Sequence, residues 1–136
     1  MDVLILIGRI LFVALFLASA WSHFSQAKTM TGYAQSRGVP VPGPAVLGGG
    51  VLLALGGLSV LLGIWPDLGA LLLVIFLVPT AVVMHGFWRE SDPQARQNEM
   101  IQFMKDLGLA GAALMLLGLF ATAGDEVGLT ITGPLF

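Results

Sequence analysis

The stretch Pro79–Asp106, PTAVVMHGFWRESDPQARQNEMIQFMKD, decides the architecture because it contains the boundary between two apolar runs. It begins inside one apolar run, leaves it at His85, crosses a charged segment and enters the next run at Lys105. This pattern is typical of a chain that crosses a bilayer, turns in water and crosses back. Because only 10% of the residues are charged, the polar part of this stretch also marks where chemistry is to be expected.

Composition limits the protein class. The 136 residues are 57% hydrophobic, which is too apolar for a water-soluble domain of this size, and they predict a single membrane domain over residues 1–136. A net charge of −2 provides no basic field, so nucleic acid is not expected as a partner. The absence of cysteine excludes disulfides, thiolate metal sites, c-type haem attachment and thiol catalysis.

Four apolar runs have the length of membrane-spanning helices. They are Val3–Trp21, Ala45–Trp65, Leu68–Phe87 and Leu107–Ala123. The sequence therefore predicts an all-α membrane protein with four transmembrane helices in an up-down-up-down bundle. The first run also resembles a signal peptide, since Ala18-Ser19-Ala20 fits a cleavage site. A retained helix is favoured because no basic residue precedes the run and apolar residues flank Arg9 on both sides.

Two polar connections lie on the same side of this bundle. In the first, Lys28–Arg37 predicts a short amphipathic helix at the membrane interface between the first two spans, and Gly38 is placed to stop it. In the second, Arg89–Asn98 predicts a hydrophilic loop, with the fourth helix starting near Gln97.

Glycines seven residues apart form stripes on two of the predicted helices. Such stripes let a neighbouring backbone approach closely, and close packing is what holds helices together in lipid. The predicted packing positions are Gly49, Gly56, Gly63, Gly111 and Gly118. The alternative is that glycine is simply frequent in membrane helices.

Polar side chains from three helices gather at the end of the bundle that carries the two long connections. On helices, His85 shares a face with Trp88, and Gln102 shares one with Lys105 and Asp106. The candidate lining of a ligand pocket is His23, His85, Trp88, Gln102, Lys105 and Asp106. The alternative is that polar and aromatic residues merely collect where helices meet the headgroups.

Arg9 is the one basic residue predicted on the other side. It could extend outward to the headgroups, or it could form a buried ion pair with Asp2, Asp67, Asp125 or Glu126. A structural ion pair is the favoured interpretation, and the sequence leaves its role open.

Metal and haem sites are disfavoured. No pair of histidines or cluster of carboxylates has the spacing of metal ligands, so no metal is predicted. Haem between His23 and His85 is disfavoured because both lie at helix ends, where it would be poorly buried. No intrinsic cofactor is therefore predicted.

The chain resembles the DoxX family of small four-helix bacterial membrane proteins over nearly its whole length. The matching segments are Gly8-Arg9, Ser22-His23-Phe24, Gly38-Val39-Pro40, His85-Gly86-Phe87-Trp88 and Gln102-Phe103-Met104-Lys105-Asp106. Asp106 departs from the pattern, since many relatives are expected to have Asn there. An acid at this position neutralises Lys105 and argues against anion binding by that lysine.

The resemblance implies a role in sulfur oxidation or oxidative stress, as a small integral subunit of a redox complex in the bacterial inner membrane. A quinone or similar amphiphile would occupy the pocket, because quinone sites need an apolar slot and a few donors. A membrane or cytoplasmic partner subunit would supply the electron carrier. The alternatives are a non-catalytic lipid-binding or assembly protein and, less favoured, a small-molecule transporter. Catalysis and homo-oligomer formation are left open.

Five of the six Lys and Arg residues flank the predicted first and third connections. The positive-inside rule therefore predicts that those connections are cytoplasmic and that both termini are outside. A reporter that is active only in the periplasm, fused after Phe136, should be active. Activity from a cytoplasm-only reporter at the same position would reverse the orientation.

Overall fold

The computed structural model describes all residues, Met1–Phe136, and contains five α-helices and no β-strand. The helices are α1 (Asp2–Ser25), α2 (Ala27–Ser36), α3 (Pro42–Leu62), α4 (Pro66–Met84) and α5 (Pro93–Ala123). Helices α1, α3, α4 and α5 are long and apolar enough to cross a membrane. The predicted all-α, four-span architecture is confirmed, and the short helix α2 lies between the first two spans as expected.

The start of α5 differs from the prediction. The helix begins at Pro93, so the hydrophilic loop predicted over Arg89–Asn98 is wrong for its second half, Pro93–Asn98, which is helical. Asp92 accepts a hydrogen bond from the backbone N–H of Ala95 at 2.9 Å, and proline suits the first helical position, so the two residues together start the helix early. Its 31 residues extend about 46 Å, which exceeds the roughly 30 Å of the hydrocarbon core. Its first turns therefore project beyond the membrane.

The helices pack in the order α1, α3, α4, α5, with α3 between α1 and α4. A buried apolar core joins them through side chains such as Phe16 of α1, Leu53 of α3, Leu73 of α4 and Ala113 of α5. Towards the chain termini, α1 and α5 are separated by a groove.

Glycines of α3 allow the close approach of its neighbours. A Cβ added at Gly56 would lie 2.9 Å from Leu73 and 3.0 Å from the carbonyl oxygen of Gly69, both on α4. A Cβ at Gly49 would lie 3.0 Å from the Phe76 ring. At these two positions α4 occupies the space that a side chain would need.

The other three predicted packing glycines do not lie between helices. Gly63 ends α3 with a φ of +66°, and a Cβ there would meet Thr130 of the C-terminal segment. Nothing lies within 4 Å of a Cβ added at Gly111 or Gly118, so their predicted role in packing within the bundle is wrong. Seven-residue spacing places two glycines on one stripe of α5 but does not determine which stripe meets a neighbour.

The C-terminal segment folds back over the ends of α3 and α4. The fully buried carboxylate of Asp67 accepts hydrogen bonds from the backbone N–H groups of Leu135, at 2.8 and 3.0 Å, and Phe136, at 2.7 Å. The N–H of Ile131 donates to the carbonyl of Leu62 at 3.1 Å. These bonds close the end of the bundle that carries both termini, which we call the terminal end.

Arg9 is also buried at the terminal end, with 2% of its surface exposed, but it forms no ion pair, so that prediction is wrong. Its guanidinium donates instead to the carbonyls of Val60 (2.9 Å), Leu61 and Leu129 (3.0 Å). Val60 and Leu61 belong to the last turn of α3, where carbonyls lack helical partners and the helix dipole is negative. The end of α3 takes the place of a carboxylate.

Replacing Gly56 by leucine should destabilise the bundle by about 1 to 3 kcal/mol, because the added side chain meets the backbone of α4 as well as Leu73. Gly118→Leu is the matched control, since that position is open. Thermal unfolding in detergent measures both. Equal midpoints for the two variants would contradict a tight α3–α4 contact at Gly56.

Arg9→Met should lower stability by about 2 kcal/mol or more, because it removes the donor from three carbonyl groups in a low-dielectric site. It should also make the C-terminal segment more sensitive to protease. Asp125→Asn and Glu126→Gln are the controls and should change neither property. An equal loss in either control would restore the ion-pair interpretation.

Candidate functional site

A cavity of about 450 Å³ lies at the other end of the bundle, which we call the α2 end. Its lining comes from α2, from the residue that follows α4, and from α5. The lining residues are Tyr33, His85, Asn98, Glu99, Ile101 and Gln102. We call this cavity the Glu99 pocket.

The local structure explains why these side chains meet. Helix α4 ends at Met84, and His85 follows it as the C-cap in a non-helical conformation. Because α5 begins at Pro93, it already includes Glu99, Gln102 and Asp106. These residues are three and four positions apart, so they lie along one face of the helix. The end of α4 thus places one histidine against this polar face of α5.

Glu99 is the centre of the polar contacts. Its Oε1 accepts a hydrogen bond from the Tyr33 hydroxyl at 3.1 Å, and its Oε2 lies 2.8 Å from Nδ1 of His85. The Glu99 and His85 side chains are 18% and 17% exposed, so both are mostly shielded. Burial, followed by the hydrogen bond to Glu99, raises the pKa of the Tyr33 phenol, so at neutral pH this hydroxyl stays protonated and donates.

A second set of contacts continues deeper along α5. Nε2 of His85 lies 3.8 Å from the Asp106 carboxylate, which in turn lies 4.0 Å from Nζ of Lys105. Lys105 donates to Oε1 of Gln102 at 2.5 Å. His85 therefore has one carboxylate near each ring nitrogen, and Asp106 places a negative charge beside Lys105.

Arg37 fixes α2 to the end of α4. Its Nε donates to the carbonyl of Met84 at 2.8 Å, and its Nη1 pairs with Glu90 at 2.5 Å. Burial, the largest single effect, lowers the pKa of Arg37, but the hydrogen bond to Glu90 and the electrostatic attraction of Tyr33, Glu99 and Glu90 together outweigh it, so the pKa is raised. The cation is therefore a permanent part of the frame that holds Tyr33 over the pocket.

Of the six predicted pocket residues, His85 and Gln102 line the cavity, whereas Lys105 and Asp106 lie outside its lining and contact those two residues. Trp88 and His23 lie outside the cavity, so the prediction that one of them lines it is wrong.

Trp88 belongs to a separate aromatic cluster. Its ring is 5.4 Å from that of Phe87 and 5.5 Å from that of Phe103, and the guanidinium of Arg96 lies 5.8 Å from the Phe87 centroid. Half of Trp88 remains exposed, as expected for a side chain at the membrane interface.

His23 is buried between helices instead. Its Nδ1 lies 2.8 Å from the carbonyl of Ser19 on its own helix, and its ring packs edge-on against Phe76. The absence of a side chain at Gly49 and Gly50 provides its space on α3. The burial of this ring makes it part of the helix packing.

Sequence reasoning missed Glu99, the residue that bonds to both Tyr33 and His85 in the pocket. The signal was present: once α5 is started at Pro93, Glu99 and Asp106 are seven residues apart on one face, with Gln102 between them. Glu99 lay just inside the fourth helix predicted from near Gln97, but no local pattern indicates that it meets His85 at the end of α4.

Comparisons with known proteins agree on a family. The DoxX family profile matches residues 4–86, which is more than half of the chain. Inner membrane protein YphA of Escherichia coli strain K12 is 30% identical over 114 residues, covering 84% of this chain and 81% of the relative. No solved structure matches the chain. The four apolar helices agree with this relationship. The chain therefore belongs to the DoxX family and is a small multi-pass inner-membrane protein.

Proposed function

We propose that the chain is an integral subunit of a membrane redox complex and that the Glu99 pocket receives the head group of a quinone or a similar amphiphile. The observation that carries the proposal is the hydrogen-bonded set Tyr33–Glu99–His85 in a cavity at the end of a membrane bundle. It combines a neutral donor, a carboxylate and an imidazole within reach of one another.

These groups suit quinone chemistry for a physical reason. A quinone is held through hydrogen bonds to its two carbonyl oxygens, and its reduction to a quinol adds two electrons and two protons. The Gln102 amide N–H can donate to a carbonyl oxygen, and Tyr33 and His85 can do so by exchanging their bonds to Glu99. The imidazole and the carboxylate can exchange protons with water at the open mouth. Ile101 provides apolar lining at the same cavity.

The electrons would have to come from a partner subunit. The chain has no cysteine, and no group of three or more His, Asp or Glu side chains is arranged to hold a metal ion. The first turns of α5 project beyond the membrane and would be accessible to such a partner. With the orientation expected from the positive charges, both termini lie outside and the Glu99 pocket faces the cytoplasm.

The test is the quinone content of the purified protein. Protein extracted in mild detergent from quinone-containing membranes should carry quinone, measured by mass spectrometry of an organic extract. Glu99→Gln and His85→Ala should each lower it about tenfold or more, the effect of losing one charge-assisted hydrogen bond. Glu126→Gln, an exposed acid at the terminal end, is the matched control.

The outcome separates redox function from the alternative. Quinone that is absent from the wild type, or unchanged in Glu99→Gln and His85→Ala at normal thermal stability, would contradict the quinone proposal. A non-catalytic lipid-binding or assembly protein would then be the better description. Loss in both variants together with a normal control would support the quinone proposal.

A further inference from the structure

The donors at the centre of the Glu99 pocket are already engaged within the protein. The Tyr33 hydroxyl donates to Oε1 of Glu99 at 3.1 Å, and Nδ1 of His85 lies 2.8 Å from Oε2 of the same carboxylate. The second ring nitrogen of His85, Nε2, faces the carboxylate of Asp106 at 3.8 Å. To accept a hydrogen bond from Tyr33 or from Nδ1 of His85, a ligand must therefore displace Glu99.

The donors that remain free are the amide NH2 groups of two residues that line the cavity, Asn98 and Gln102. The side-chain oxygen of Asn98 accepts a hydrogen bond from Gln94 at 3.2 Å, and that of Gln102 accepts one from Lys105 at 2.5 Å. Each amide is thus oriented by the donor on its oxygen, and its NH2 group has no hydrogen-bond partner in the protein. These groups can donate to a ligand oxygen, whether it belongs to a carbonyl or to a hydroxyl.

The acceptor that remains free is Glu99 itself. A carboxylate offers about four lone-pair sites, and the bonds from Tyr33 and His85 occupy two of them. Two donors on one carboxylate favour its ionised form. The side chain is 18% exposed and lines the cavity, so a ligand can reach it. Glu99 therefore accepts a hydrogen bond from a ligand but does not donate one.

These free groups treat the two oxidation states of a quinone differently. A quinol hydroxyl stays protonated at neutral pH, as other phenols do, so it can donate to Glu99 while its oxygen accepts from an amide NH2 group. A quinone carbonyl can only accept. Beside Glu99 it sets a lone pair against an ionised carboxylate, and this contact is repulsive and leaves both acceptors without a donor.

We infer that the Glu99 pocket binds the quinol in preference to the quinone, with a quinol hydroxyl on the carboxylate of Glu99. The inference rests on the proposed function and adds the oxidation state that the site selects. One charge-assisted hydrogen bond that is made in only one state corresponds to about tenfold in affinity. For a two-electron couple, a tenfold preference for the quinol raises the midpoint potential of the bound quinone by about 30 mV. The bound quinone is then a better acceptor of electrons from the proposed partner subunit.

The test compares the dissociation constants of a short-chain benzoquinone and of the corresponding benzoquinol for the purified full chain in detergent. Isothermal titration calorimetry without oxygen measures both, whereas the quinone content of an organic extract counts the two forms together. The wild type should bind the quinol about tenfold more tightly. In Glu99→Gln, the amide that replaces the carboxylate has a donor as well as an acceptor. Quinol affinity should fall about tenfold and quinone affinity by less, which brings the two constants close to each other.

Asn98→Asp is a variant with the opposite expected effect. Asn98 is exposed, and the replacement keeps an oxygen for Gln94, so thermal stability should be unchanged. The substitution removes a free donor and adds an acceptor, so it should weaken the quinone more than the quinol and increase the preference. Glu126→Gln, at the terminal end, should leave the preference unchanged. A substitution that only loosened the pocket would weaken both forms alike.

The outcomes separate this inference from the proposed function. Equal affinities of the wild type for the two forms, or tighter binding of the quinone, would overturn the inference and leave the proposed quinone site in place. So would a preference for the quinol that Glu99→Gln does not change. Binding of neither form would overturn both the inference and the proposed function.

Discussion

Lipid cannot hydrogen-bond, so each polar group inside this bundle needs a partner from the chain or from a ligand. The two ends of the molecule meet this constraint differently. At the terminal end, the buried charges of Arg9 and Asp67 are held by backbone groups: the guanidinium by carbonyls, the carboxylate by N–H groups. Because these backbone groups are fixed by the helices and by the folded-back C-terminal segment, their hydrogen bonds hold the helix ends together at the terminal end.

At the α2 end, the partners are side chains from different elements. Tyr33 of α2, His85 after α4 and Glu99 of α5 bond to one another around a cavity instead of to fixed backbone groups. Side chains can exchange one partner for another at a small cost, whereas a helix terminus cannot. This contrast is the physical reason for proposing a ligand site at the α2 end, whereas the backbone contacts of the terminal end hold the helices together.

The sequence was informative where a single local rule decides the structure. Hydropathy located the four spans, and Gly38 marked the end of α2 correctly, with a φ of +82°. Prediction from the sequence failed where a side chain bonds to a residue that is distant along the chain. Arg9 meets residues more than fifty positions away, and no local pattern indicates that the end of α3 is a better partner than Asp67 or Glu126. For Glu99, the obstacle is the same: its partners His85 and Tyr33 lie on other elements, and the sequence does not indicate that the three side chains meet.

The polar contacts of the Glu99 pocket are divided between the end of α4 and helix α5. The family profile ends at residue 86, just after His85, whereas Glu99, Gln102 and Asp106 all follow it. The helices up to α4 thus supply the imidazole and the frame, while α5 supplies the carboxylates and the amide that a ligand would meet. A change at Glu99 or Asp106 alters the charge around His85 without touching the packing of α1, α3 and α4. A substitution on this face of α5 can therefore change the charges around His85 while the packing of the other helices is kept.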